Sequence, residues 1–280
     1  MTERHTEVRN LMKMSPEEVI EKAGDNLIVK DNLEDLYVEF AREIYKEIRG
    51  DYKDSDSSRI ILPVGPVEQY DFLFEMLKTN KISLNNCMVF FMDEYCNENG
   101  KALGIQHPLS FKRIATSKFI NPLKEFGLKD DQVIFPNEVN IGQIDSKIER
   151  MGGIDTTFGG IGIHGHVAFN EPEKGVAQKG SRRVTLNNYT ITINAIRSNI
   201  GGNLENFPKE AFTLGLNTIL ASRRIVLCCR SDILDWASTI LRIALFGNPG
   251  DDYPATYVQK HPNYLILTDK NTLKTPKNII

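Results

Sequence analysis

Two stretches of the sequence set titratable side chains directly after apolar runs. In the first, Asp93 and Glu94 follow Cys87-Met88-Val89-Phe90-Phe91-Met92; in the second, His164, His166 and Glu171 lie in the glycine-rich run from Phe158 to Pro172. A carboxylate shielded from solvent at a strand end is basic enough to remove a proton from carbon beside a carbonyl. Asp93 is the candidate for that role, although either Asp93 or Glu94 could instead cap the next helix. An imidazole moves protons between oxygens near neutral pH, and a neighbouring carboxylate orients it and sets its charge. His166 and Glu171 carry that pairing. The glycines of the second stretch allow positive φ and close backbone approach, which makes Gly162 a candidate for substrate contact. Imidazoles and carboxylates also suit zinc or manganese, so His164, His166, Asp93 and Glu171 have a metal site as their alternative reading.

The elements that must position these groups follow from hydrophobic period. Ser15-Pro16-Glu17-Glu18 is a helix-start signal with proline at the first helical position. Leu33, Leu36, Tyr37, Phe40, Ala41, Ile44, Tyr45 and Ile48 recur at helical spacing, with Glu34, Asp35, Glu39, Arg42 and Lys46 largely off that face. Short apolar runs at 59–62, 87–92, 156–163, 225–229 and 264–267 read as strands covered on both faces. Between them, 67–77, 144–151 and 233–246 read as helices, with Trp236 on the apolar face of the last. Strands alternating with helices predict a mostly parallel sheet joined by right-handed crossovers, and ligands then sit beyond the carboxyl ends of the strands. No repeat or long linker interrupts the chain, so a single α/β domain over 1–280 is expected, with 1–25 as an appended segment.

Composition excludes several classes. The chain has 280 residues, 41% of them hydrophobic, and 34 Lys and Arg against 37 Asp and Glu give a net charge of −3. That balance gives no reason to bind nucleic acid or an anionic membrane. The amino-terminal stretch has no apolar signal core, and no run approaches the roughly 18 apolar residues of a membrane span, so a cytoplasmic location is expected. The four cysteines have neither CxxC spacing nor disulfide-scaffold density. Cys87, Cys228 and Cys229 read as buried small hydrophobes, and Cys96, close to the candidate site, has a reactive thiol as its alternative.

The segment His166-Val167-Ala168-Phe169-Asn170-Glu171-Pro172, with Met92-Asp93-Glu94-Tyr95, resembles the paired signature of the glucosamine-6-phosphate deaminases. Phe207-Pro208-Lys209-Glu210-Ala211, Pro254-Ala255-Thr256 and Gln259-Lys260-His261-Pro262 match in order and approximate distance, so the likeness runs from about residue 30 onward. It implies a Rossmann-like three-layer α/β/α fold with a mostly parallel sheet. It also implies an aldose-to-ketose isomerisation of an amino-sugar phosphate with loss of ammonia, needing no metal and no redox cofactor. Asp93 would move the proton between C2 and C1, and His166, with Glu171 as partner, would catalyse ring opening. The partner implied is a small sugar phosphate, and both monomers and homo-oligomers are compatible with the family.

The sequence departs from the family at defined points. His164 stands two residues before His166, where an aspartate is usual; losing that anion should lower the pKa of His166 or shift the proton-transfer roles. The Gly-Gly-Thr type phosphate loop is replaced by Val64-Gly65-Pro66-Val67, which keeps Gly65 but loses an N–H at Pro66 and the hydroxyl. A family arginine aligns near Thr192, with Arg197 close by. Lys209 is retained in its motif and is the expected cation for substrate, or else an exposed lysine at a helix start. These changes predict weakened or relocated phosphate recognition and a shifted substrate within the family. The alternatives are a sugar-phosphate sensor without turnover and a 6-phosphogluconolactonase-like hydrolase, which shares the fold and a Gly-x-x-x-Gly-His loop.

Overall fold

A computed structural model of the chain describes residues 3–52, 57–231 and 234–280. The apolar runs form strands β1 (Leu27–Lys30), β2 (Ser58–Leu62), β3 (Cys87–Phe91), β5 (Val133–Ile134), β6 (Thr156–Gly160), β9 (Arg224–Cys228) and β10 (Tyr264–Asp269). They pair in parallel in the order β1-β10-β9-β6-β2-β3-β5. Successive side chains on these strands enter opposite cores, as the two-residue period requires. Ile61, Phe90, Ile225 and Leu227 pack on one face with the Ala237–Phe246 helix. Ile60, Leu62, Val89, Phe91 and Val226 pack on the other with Phe40 and Ile44. The chain builds outward from β2 through β3 to β5, then returns to the far side of β2 with β6. The carboxyl ends of β2 and β6 therefore flank a topological switch point.

Beyond the parallel sheet lies a second, antiparallel one that hydrophobic pattern did not reveal. It comprises β4 (Asp93–Cys96), β8 (Glu210–Thr213) and β7 (Arg182–Thr185), in the order β4-β8-β7. A third apolar cluster, including Tyr95, Phe169, Phe207 and Ala211, packs against it. Asp93 thus belongs to a strand, paired with Thr213, and not to a helix start.

The Leu33–Arg49 helix begins at Asn32, whose side chain accepts from Asp35 N, and ends at Gly50 with φ 90°. Its polar face is less exposed than its sequence suggests. Glu39, Glu43 and Glu47 are all buried, with Glu43 held by Lys46, Arg224 and Tyr52, and Glu47 accepting from Thr156 Oγ1. The expected strand over 156–163 ends at Gly160, because Ile161 makes only an isolated bridge to Val167. The expected helix over 67–77 runs Gln69–Asn80, and that over 233–246 starts at Ala237; Ile233 lies outside the described residues. Trp236 is half-buried just ahead of that helix and packs against the edge of the core.

The amino-terminal segment folds as two helices, Glu3–Met12 and Pro16–Ala23, the second with a full capping box between Ser15 and Glu18. Arg242 fastens it to the sheet domain. This fully buried guanidinium donates to the carbonyls of Met14, Ser238, Leu273 and Lys274, tying the segment and the carboxyl-terminal tail to one helix. Its removal leaves buried carbonyls without donors, so Arg242→Met should destabilise the protein by about 3 kcal/mol or more. A denaturant midpoint within error of the parent would show that the clamp contributes nothing. Among the described residues, no helix is long and apolar enough to cross a membrane.

Candidate active site

A cavity of about 230 Å³ opens at the switch point. Pro63, Val64 and Gly65 reach it from the end of β2, Met92 and Asp93 from β3 and β4, Gly160 and Gly162 from β6, and Arg230 from beyond β9. Strand-end geometry alone therefore brings Asp93 and His166 to one space, together with Gly65 and Gly162.

Alternation along β4 sorts its three polar residues. Asp93 and Tyr95 line the cavity, while Glu94 turns to the opposite face. There its carboxylate accepts from Ser110 Oγ at 3.0 Å, Phe111 N at 3.0 Å and Lys112 N at 2.8 Å, so it is Glu94 that caps the Phe111–Ala115 helix. Asp93 is only 8% exposed and accepts no hydrogen bond from the described residues. Burial, reinforced by the neighbouring Glu94 carboxylate, pushes its pKa up to about 8. Tyr95 accepts from Asn194 Nδ2 at 3.0 Å, and Asn194 also lines the cavity.

The loop after β6 is shaped around an imidazole. A side chain on Gly162 would place its Cβ 2.0 Å from His166 Nε2, so only glycine lets the ring lie there. A Cβ on Gly160 would sit 2.8 Å from the Gly65 carbonyl oxygen, which shows how closely this loop packs on the one after β2. Ala168, also lining the cavity, has φ 53°, a left-handed conformation that costs a side-chain-bearing residue energy and is held by its surroundings. His166 is buried, and burial first, then the charges of His164 and Arg197, push its pKa down to about 3. It is a neutral imidazole at physiological pH.

Neither Glu171 nor His164 hydrogen-bonds His166 among the described residues, although the two imidazole rings lie edge to face with centroids 6.3 Å apart. Glu171 accepts from Asn187 N at 2.8 Å through Oε2, at the start of the Asn188–Arg197 helix, while its Oε1 and His166 Nδ1 are buried with no hydrogen-bond partner among the described residues. His164 lies 2.8 Å from Asn187 Nδ2 through Nδ1 and edge-on to Tyr189. It lines a different cavity, against Arg4, His5, Pro172 and Tyr253. Burial lowers its pKa too.

The cations of the cavity are Arg197 and Arg230. Arg197 ends the Asn188–Arg197 helix; Thr192, one turn earlier, is exposed and donates to its own helix at Asn188 O. Arg230 rests against Tyr37, with Nε 2.8 Å from the phenol oxygen. Arg230 escaped the sequence reading, although it is the first charged residue after the apolar run ending at Cys229. Lys209 is exposed, donates to Leu204 O and does not line the cavity. Cys96 is buried away from it, with its thiol pushed up to about 12 by burial, so the reactive-thiol reading has no support.

No family model matches the chain. The glucosamine-6-phosphate deaminase of Thermoanaerobacter pseudethanolicus is 29% identical over 252 residues, spanning 87% of this chain and 92% of that protein. The chain is a homologue of the glucosamine-6-phosphate deaminases. The deaminase of Borreliella afzelii is likewise 29% identical over 255 residues, with 88% and 90% of the two chains covered. A solved monomeric glucosamine-6-phosphate deaminase, described as a missing link of the NagB superfamily, matches with a TM-score of 0.77 at 25% identity. That match covers 88% of this chain and 98% of the other. A 6-phosphogluconolactonase from Thermotoga maritima shares the fold, with a TM-score of 0.65 at 16% identity over 87% and 99% of the chains. The mostly parallel sheet with helices on both faces is thus the deaminase-type fold that the sequence motifs implied.

Proposed function

We propose that the chain isomerises and deaminates an amino-sugar phosphate, with Asp93 as the base, His166 as the proton carrier for ring opening, and Arg197 with Arg230 holding the anionic group. The observation that supports this most is the opening of Asp93, His166 and both arginines onto one cavity. In the reaction, neutral His166 takes the proton of the anomeric hydroxyl and returns one to the ring oxygen, giving the open aldehyde. Asp93 then removes the C2 proton and delivers it to C1, and the C1 oxygen takes up the proton that the amino group loses. The resulting imine at C2 adds water and releases ammonia, so that amino-aldose phosphate and water become ketose phosphate and ammonia. A buried carboxyl needs help to ionise, and the amino group of the substrate supplies it: an ammonium beside Asp93 favours the carboxylate.

Guanidinium forks grip phosphate oxygens in pairs and take over from the one loop N–H, lost at Pro66, and the hydroxyl that this chain lacks. Gly65 and Gly162 serve as close backbone walls. Glu171 and His164 act from outside the cavity, Glu171 by fixing the start of the helix that carries Arg197. Lys209 is left without a substrate role. The working unit is the whole of 1–280, with 1–25 appended, acting in the cytoplasm on a small molecule without nucleic acid or membrane partners.

Incubation with glucosamine 6-phosphate and a panel of related amino-sugar phosphates should release ammonia and ketose phosphate in equal amounts from at least one. Binding across the panel with no ammonia would leave a sensor. Hydrolysis of a phosphogluconolactone in its place would leave a hydrolase.

A further inference from the structure

Asn187 opens the Asn188–Arg197 helix, and its side-chain oxygen accepts from Tyr189 N at 3.0 Å and Thr190 N at 2.9 Å. Those two bonds fix the amide, because turning it over would set its NH2 against two N–H donors. The atom 2.8 Å from His164 Nδ1 is therefore Asn187 Nδ2, and an amide nitrogen can only donate. His164 Nδ1 then accepts, so the ring carries its proton on Nε2; burial, which disfavours a charged ring, is in keeping with this neutral form. The same ring lies edge-on to Tyr189, with centroids 4.9 Å apart, a contact that a carboxylate at this position would not make. His164 sits on a turn closed by its own backbone, in which Gly162 N donates to His166 O at 2.9 Å and Gly165 N to Gly162 O at 2.8 Å. That turn brings His166 to the cavity, and the helix brings Asn194 and Arg197.

We infer that His164 is a positioning residue: as the tautomer with its proton on Nε2, it accepts from the Asn187 side chain and fastens the helix bearing Asn194 and Arg197 to the turn bearing His166. This accounts for an imidazole where an aspartate is usual, since one uncharged ring both accepts from the amide and packs on Tyr189. The effect on turnover rests on the cavity being the substrate site, as in the function proposed above; the tautomer does not. Because the turn keeps its own backbone bonds, losing the fastening frees the helix and leaves His166 in place, so binding weakens while the chemical step survives.

NMR of the ring nitrogens in the intact protein, with the His164 signals identified by their loss in His164→Asn, should show Nδ1 bare and Nε2 protonated. Asn187→Asp keeps the capping oxygen but turns the donor into a second oxygen, and there the proton should move to Nδ1. His164→Leu, which has no acceptor, should raise KM for the amino-sugar phosphate about three- to tenfold, the range one neutral hydrogen bond supplies, with kcat within about twofold. His164→Asn, whose side-chain oxygen can stand where Nδ1 stood, should recover most of that loss. The inference is overturned by a proton on Nδ1 in the wild type, by a tautomer unchanged in Asn187→Asp, by equal KM values in the Leu and Asn variants, or by a fall in kcat at constant KM. If both tautomers are as expected while no amino-sugar phosphate turns over, the fastening stands and the deaminase reading falls.

Discussion

Asp93→Asn is expected to lower kcat/KM for the amino-sugar phosphate by about 100-fold or more, while the protein stays folded. The amide keeps the shape of the carboxyl but cannot accept the C2 proton. The pH dependence gives this result a signature that a packing defect would lack. With its pKa pushed up to about 8, Asp93 is protonated through most of the neutral range. Wild-type kcat/KM should therefore climb with pH until about 8, whereas residual activity of the variant should not follow that limb. Stability should move the opposite way. The folded pKa is raised far above the ordinary carboxylate range near 4, so the contribution of this group is fully present below about pH 4 and is lost as pH rises through about 8. The variant carries no such group, and its melting temperature should gain on that of the wild type between pH 6 and pH 9. Undiminished turnover would remove Asp93 from the mechanism; a pH-independent gap in melting temperature would show that its carboxyl is not held protonated.

Much of this site was legible before any coordinates, for a definite reason. Strands covered on both faces must be apolar throughout, so the residue that breaks the run marks the carboxyl end, and Asp93 and the loop after β6 were found that way. What could not be read were the angular details. Period two along β4 decides that Asp93 faces the cavity and Glu94 the helix start, but a four-residue strand of Asp, Glu, Tyr and Cys shows no hydrophobic alternation to announce it. The antiparallel sheet was missed with it. Sequence proximity also misled in the glycine loop. His164 lies two residues from His166, yet with a turn between them their ring centroids are 6.3 Å apart and only one ring faces the cavity. Depression of the His166 pKa was anticipated from the loss of an aspartate, but burial is its largest cause and the charge of His164 comes second. Phosphate recognition was expected to be weakened or relocated; Arg197, noted beside Thr192, and Arg230, just past an apolar run, both line the cavity, and only the fold brings that helix end and that strand end together.

Gly162→Ala should cost about as much activity as removing the imidazole. The added methyl would start 2.0 Å from His166 Nε2 and 2.3 Å from Cε1, contacts that cannot persist. Something must yield, and the ring yields before the backbone, because His166 Nδ1 has no hydrogen bond to hold it. A displacement of about 1 Å in a proton carrier is enough for roughly a 100-fold loss. Gly160→Ala makes an instructive contrast. Its Cβ would press on the Gly65 carbonyl oxygen at 2.8 Å, so it should disturb the loop beside the anion site and raise KM, leaving the imidazole in place. If Gly162→Ala acts only through His166, the double variant Gly162→Ala/His166→Gln should be no slower than His166→Gln alone. Kinetics of the three variants, with melting curves to confirm folding, decide the point. Multiplying losses would mean that the loop backbone has a role of its own, and a Gly162→Ala enzyme within a few-fold of wild type would show that catalysis does not depend on the imidazole staying where it lies.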